Sequence, residues 1–196
     1  MSGISKLAAT CAIAAAAFVL GRQARVQSAA AATRPTSRAM LTGPPDGHNV
    51  HVTAPHVVNG QVMGPYHHYC KVLRADPVIE CLVYASTDTL AMLEQVEYIV
   101  AKTITRTDAI SLEDWNHNWH DHAQEIATGR VQVLDLPPDQ ARQVAQLVSG
   151  TDGIIFHLWS RGDRVPNAHV MIAQSVGHVN ISMDEKMNGG RTAPRD

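Results

Sequence analysis

Charged and aromatic side chains are scarce in this chain of 196 residues: 17% are Asp, Glu, Lys or Arg, and 5% are Phe, Trp or Tyr. Sixteen basic residues against 18 acidic ones, with no run of Lys and Arg, exclude a nucleic-acid partner, because phosphates are neutralised by clustered cations. The absence of a polybasic segment argues against an anionic lipid surface as well. No internal repeat and no apolar heptad is present, which excludes a solenoid and a coiled coil. No Gly-x-Ser-x-Gly elbow is present, so Ser/His/Asp catalysis has no nucleophile motif to start from. The length corresponds to a single domain, since one core commonly spans roughly 100 to 200 residues.

The longest apolar run, Leu7 to Leu20, falls short of the ~20 residues that cross a bilayer. With Lys6 before it and small residues from Ser28 to Ala32 behind, residues 1–32 have the layout of a secretory signal, cleaved between Ala29 and Thr33. The alternative is an N-terminal anchor, since Arg22 and Arg25 separate the run from the cut. Cys11 lies inside the run behind Thr10, which does not suit lipidation. Processing leaves 13 basic and 18 acidic residues, a net charge of about −5. An exported protein, periplasmic or secreted, is expected, and it keeps two cysteines, Cys70 and Cys81. In an oxidising compartment the pair can be joined, and otherwise both are small buried hydrophobes.

Residues 33–47 are rich in Pro, Thr, Ser and Gly without period, which predicts a linker before a domain at residues 48–186. His48 to Val52 alternates as a short strand ending before Pro55, and Asn59-Gly60 and Gly64-Pro65 mark turns. Tyr66 to Leu73 and Val78 to Ala85 read as a hairpin that sets Cys70 and Cys81 at one level. Val96 to Lys102 is the next strand, with Val96, Tyr98 and Val100 on one face and Glu97 on the other. Ser111-Leu-Glu-Asp114 is a helix start, and this helix carries Leu112, Trp115 and Trp119 before fraying into strand ahead of Glu125. Pro137-Pro138 opens a second helix striped by Ala141, Val144, Ala145 and Val148, and Gly150 ends it. Ile154 to Trp159 forms a strand with Arg161-Gly-Asp163 as its turn, His169 to Ala173 and Val176 to Ile181 form a last pair, and residues 187–196 form a disordered tail. The expected fold is α+β, a mostly antiparallel sheet with two helices packed against it.

Chemistry concentrates at Asp114 to Glu125, where three histidines, three carboxylates and two tryptophans occupy twelve residues. His120 and His122 sit one residue apart and project to the same side of an extended segment. Imidazole is the commonest protein ligand for transition metals, and two His with one acid leave open positions on Zn or Fe. His120 and His122, with Glu125 or Glu97 and with His157, are the candidate ligands of a divalent transition metal. His68, Tyr98, Trp119 and Trp159 are candidates for lining the site, beside which an apolar ligand could sit. Of His67 and His68 only one can join it, since neighbours on a strand face opposite ways. Two alternatives stay open: a buried hydrogen-bonded network that fastens helix to sheet, and a metal-free acid/base pair such as His120 with Glu97.

His67-His-Tyr-Cys70, Glu80-Cys-Leu-Val-Tyr84, Val96-Glu-Tyr-Ile99, Trp119-His-Asp-His-Ala-Gln-Glu-Ile126 and Phe156-His-Leu-Trp159, with Arg161-Gly-Asp163 and Pro166 behind, follow one another in this order. Together they resemble the oil-body-associated protein family, whose members have no assigned reaction. The resemblance covers His67 to Ile172. It implies a bacterial exported relative of plant proteins linked to seed lipid droplets. On that basis the family's His-x-His falls on His120 and His122, its following acid on Glu125, its Glu-Tyr on Glu97 and Tyr98, and its late Trp-His-x-Trp on His157 and Trp159, with Phe156 in place of the first Trp. Ala85 and Pro166-Asn-Ala-His169 depart from the family pattern.

These observations support an exported small protein with a histidine-carboxylate site that binds a metal or a small ligand. A metal-dependent enzyme using the same residues and a lipid-associated structural protein are the alternatives. Lipid or a small molecule is the partner class that composition allows.

Overall fold

Alternating stretches, many of them β-branched, form eight strands among the described residues. The computed structural model describes residues 47–159 and 166–188. In chain order the elements are β1 (Val50–Val58), β2 (Gln61–Arg74), β3 (Val78–Tyr84), β4 (Leu93–Ala101), α1 (Lys102–Thr105), α2 (Leu112–Asn118), β5 (Trp119–Asp121), α3 (His122–Ala127), β6 (Gln132–Leu134), α4 (Pro138–Ser149), β7 (Thr151–His157), β8 (Met171–Ser175) and α5 (Met183–Met187). The expected signal segment, nearly all of the linker, the Arg161-Gly-Asp163 turn and all of the tail beyond Asn188 lie outside the described residues.

The sheet closes on itself. β1 pairs with β2, β2 with β3, β3 with β4, β4 with β7, β7 with β8, and β8 returns to β1, every pairing antiparallel. This six-stranded barrel overturns the expected α+β sheet with two helices laid against it. The physical reason is economy of edges: closure leaves no row of unpaired backbone donors and turns one face of every strand into a single interior. β5 and β6 are extra strands on the free stretches of β7 and β1 respectively, and α3 joins that side of the wall in sequence between them.

Interior residues come from the alternation. Val52 and His56 of β1, His68 and Cys70 of β2, Cys81 and Val83 of β3, Gln95 and Glu97 of β4, and Ile155 and His157 of β7 are all buried. Asn59 and Gly60, both at positive φ (49° and 75°), make the tight turn between β1 and β2. Gly64 and Pro65, expected to turn, instead continue β2, and β1 runs through Pro55 to Val58.

Ser111 caps α2 by accepting from the Asp114 backbone N–H, as its sequence predicts. That helix ends at Asn118, one residue before Trp119, and the order beyond it is strand and then helix: His120 lies in β5, while His122 opens α3. α4 starts at Pro138 and is closed by Gly150. Beyond β8 the expected second strand is absent, and the chain turns at Gly177 and enters α5, the last element among the described residues, which a Ser182–Glu185 capping box starts.

Cys70 and Cys81 are direct partners across β2 and β3 and are joined as a disulfide. Opening it with Cys81→Ser is expected to lower stability by about 2 to 3 kcal/mol, because the bridge restricts the unfolded chain. Thiol counting under denaturing, non-reducing conditions checks the premise, and two titratable thiols would remove it.

Candidate functional site

Four histidines and two glutamates meet inside the barrel. β1 carries His56, β2 His68, β4 Glu97, β5 His120, and α3 both His122 and Glu125; each is at most 3% exposed. Their reactive atoms converge. His56 Nε2 is 3.1 Å from His68 Nε2, and His68 Nε2 is 3.3 Å from Glu97 Oε2. Glu97 Oε1 is 3.3 Å from His120 Nε2 and 3.1 Å from His122 Nε2. Glu125 Oε2 stands 3.7 Å and 3.8 Å from the same two nitrogens.

The far sides of three rings are held by the protein, while His120 Nδ1 is buried without a hydrogen-bond partner among the described residues. His68 Nδ1 donates to the Tyr66 carbonyl at 3.1 Å, which puts its proton on Nδ1. Thr151 Oγ1 donates to the Val148 carbonyl at 2.5 Å and so accepts from His122 Nδ1 at 3.0 Å. His56 Nδ1 donates to Gln95 Oε1 at 2.5 Å, and Gln95 Nε2 in turn donates to His157 Nδ1 at 3.0 Å. Ser175 Oγ donates to Glu125 Oε1 at 2.6 Å. Fixing Nδ1–H from behind turns the Nε2 atoms of His56, His68 and His122 toward the centre, the arrangement in which histidine binds metals.

Burial sets the charge states. It lowers His56 and His68 to about 4, so both rings are neutral at pH 7. For Glu97, burial raises the pKa, but hydrogen bonds from His120 and His122 outweigh it and leave the carboxylate well below its ordinary range. Burial lowers the His122 pKa, and Glu97 more than reverses this, so that His122 is raised. A cation is therefore called for between His122 Nε2 and Glu97 Oε1, either a proton or a metal ion. Ligands 2.0–2.1 Å from one tetrahedral ion stand roughly 3.4 Å apart, which the spacings above match.

Of the residues picked out from sequence, the barrel brings together His120, His122, Glu125, Glu97 and His68. His157 stands one step back, reaching the centre through Gln95. Tyr98 is on the outer face, where its hydroxyl donates to Glu80 Oε2 at 3.0 Å. Trp119 alternates outward from His120, and the Trp159 indole donates to the Leu93 carbonyl at 2.9 Å. His56 escaped sequence reading, since it follows Pro55 and belongs to no motif. Gly153 escaped as well, although a glycine inside a strand signals close approach of a neighbour. It lies opposite His120, and a Cβ there would be 2.5 Å from His120 Nε2 and 2.6 Å from Glu97 Oε1. Gly153→Ala is expected to displace both side chains at a cost of about 1 to 3 kcal/mol and to weaken the centre more than the fold. Metal uptake and melting temperature measured together check this, and a variant with unchanged metal uptake would refute it.

A cavity of about 160 Å³ opens onto this cluster. His56, His68, Glu97, His122 and Glu125 form its polar end, and Val52, Ile79, Ile99, Val133, Val144 and Val148 line much of the rest. Val72 and Leu147, half-exposed, bring the lining to the surface.

Outside the barrel, Asp152 of β7, fully buried, accepts from Arg106 Nε at 3.0 Å and Nη2 at 2.8 Å, Thr105 Oγ1 at 2.6 Å and Trp115 Nε1 at 3.1 Å. Arg106 also reaches Asp121 Oδ2 at 2.8 Å, and Lys102 Nζ lies 2.7 Å from Asp121 Oδ1. Asp121 stands between His120 and His122 in the chain, so this network fixes the backbone from which these two project.

The family described as "Protein of unknown function (DUF1264)" matches residues 42–192. Oil body-associated protein 2C of Arabidopsis thaliana is 29% identical over 123 residues, 60% of this chain and 50% of that protein. Oil body-associated proteins 1A and 2B of Zea mays are 34% and 36% identical over 103 residues, 51% of this chain and 41% and 39% of theirs. The chain thus spans half or less of the length of these curated relatives. No solved structure matches it.

Proposed function

The chain belongs to the DUF1264 family of proteins of unknown function, and within it we propose that this protein is a metal-binding β-barrel that presents a divalent transition ion to a small, largely apolar ligand. One observation carries the proposal: Nε2 of His120, Nε2 of His122 and a Glu97 oxygen lie close enough together to hold one ion. The donors are imidazole and carboxylate without thiolate, a set that suits Zn, Fe or Mn. The cavity supports the second half. Its volume is close to that of ~150 Å³ apolar cavities that take up benzene, so a ligand of that size fits and a storage lipid does not. The plant relatives are named for oil bodies, and an apolar cavity suits a lipid context in which small hydrophobic molecules dissolve. Export is supported by the Cys70–Cys81 bridge, which persists outside reducing compartments.

Elemental analysis of protein purified without a histidine tag tests the metal. At least one equivalent per chain is expected, and none would refute the proposal. Hexanoate titrated into the metal-loaded protein tests the cavity. Ala145→Phe, which fills space on the α4 wall, is expected to keep its metal and lose hexanoate binding at least tenfold. Undiminished binding by that variant would remove the cavity from the proposal and leave the metal in place.

A further inference from the structure

We propose that the barrel interior binds two divalent ions bridged by Glu97, an inference that rests on the metal-binding role above and extends it. Six donors converge where one ion, in an open tetrahedral site, needs three. They fall into two sets, each of which could hold an ion by itself: His56, His68 and Glu97 in one, Glu97, His120 and His122 in the other. Glu97 belongs to both, and it divides its oxygens between them. Oε2 faces His68 at 3.3 Å, while Oε1 faces His120 at 3.3 Å and His122 at 3.1 Å. A carboxylate offering one oxygen to each side spans the roughly 3.5 to 4 Å that separates the ions of two-metal sites.

The first set is oriented for ligation from behind. His68 has its proton on Nδ1, given to the Tyr66 carbonyl, and His56 has its proton on Nδ1, given to Gln95. Their Nε2 atoms then face each other at 3.1 Å in the buried interior of the barrel. An ion bound between these two nitrogens and Glu97 Oε2 would be ligated by all three, whose donor atoms lie close enough together to hold one. The second set is completed by Glu125, whose other oxygen is held by Ser175. Two divalent ions against two carboxylates leave two positive charges. The open positions toward the cavity therefore take hydroxide or an anionic oxygen ligand, which gives the apolar cavity a polar-headed occupant.

The test is metal stoichiometry and magnetic coupling in the full chain without a tag. After loading with Mn(II), two equivalents are expected, with an exchange-coupled electron paramagnetic resonance spectrum in place of the six-line signal of isolated Mn(II). The double variant His56→Gln/His68→Gln is expected to bind one equivalent and to show the uncoupled signal. Wild type binding one equivalent overturns the two-ion centre and leaves the single-ion site standing. No bound metal overturns both. Two equivalents with uncoupled spectra overturn the Glu97 bridge. Because the wild-type ratio alone decides the first of these outcomes, the inference stays testable even if the double variant fails to fold.

Discussion

Exhaustive chelation is expected to lower the melting temperature of the metal-loaded protein by roughly 6 to 12 °C and to leave His122→Ala nearly unmoved. Binding only to the native state stabilises it by mass action, about 3 kcal/mol for a ligand at about 100 times its Kd. In a domain of this size 1 kcal/mol corresponds to about 2 to 4 °C. His122 is suited to the contrast because its imidazole is fixed by Thr151 and faces Glu97, so its removal takes away both a ligand and a partner for the carboxylate. A purely structural network behaves differently. It would make His122→Ala less stable to the same degree with and without chelator, since an unpaired buried group is costly whatever the metal. A wild-type melting curve unaffected by chelation would leave the hydrogen-bonded network as the role of these residues.

Arg106→Ala is expected to cost about 3 to 5 kcal/mol, the largest loss of any single substitution proposed for this chain. Asp152 is fully buried, and Arg106 supplies both of its charge-assisted bonds from the guanidinium. Removing the arginine leaves a carboxylate in the interior with only the neutral donors Thr105 and Trp115. It also frees Asp121, the residue between His120 and His122, from one of its two cations. Metal affinity should therefore fall along with stability. Urea unfolding of Arg106→Ala, Asp152→Ala and the double variant measures the coupling, and a loss below 1 kcal/mol in Arg106→Ala would show that water replaces the guanidinium without penalty.

Local pattern carried part of this molecule. Period-two alternation through Val78–Tyr84 and Leu93–Ala101 placed Glu97 on the face opposite Tyr98, and the Ser111 cap and Gly150 stop set helix ends. His120, His122 and Glu125 were legible as neighbours from their spacing in one short stretch, whereas the pairing of β4 and β5 with β7 is what sets Glu97 beside them. Cys70 and Cys81 were legible as partners because a hairpin fixes its own register.

Closure was decided elsewhere. The Asn59-Gly60 turn announces the pairing of β1 with β2, but nothing between His48 and Val58 announces that β1 pairs with β8 and β6 on the other side, since partners that far apart in sequence leave no periodic trace. The same closure turned His56 inward and set it 3.1 Å from His68, and it gave Gly153 its need to lack a side chain. Trp119 and Trp159, grouped with the site by motif, turned away from it for that reason too, while Tyr98 follows the alternation that sets it opposite Glu97. The sequence by itself determined which residues share a face. Only the tertiary structure decided which faces meet, because that depends on long-range pairing that minimises exposed edges across the whole chain.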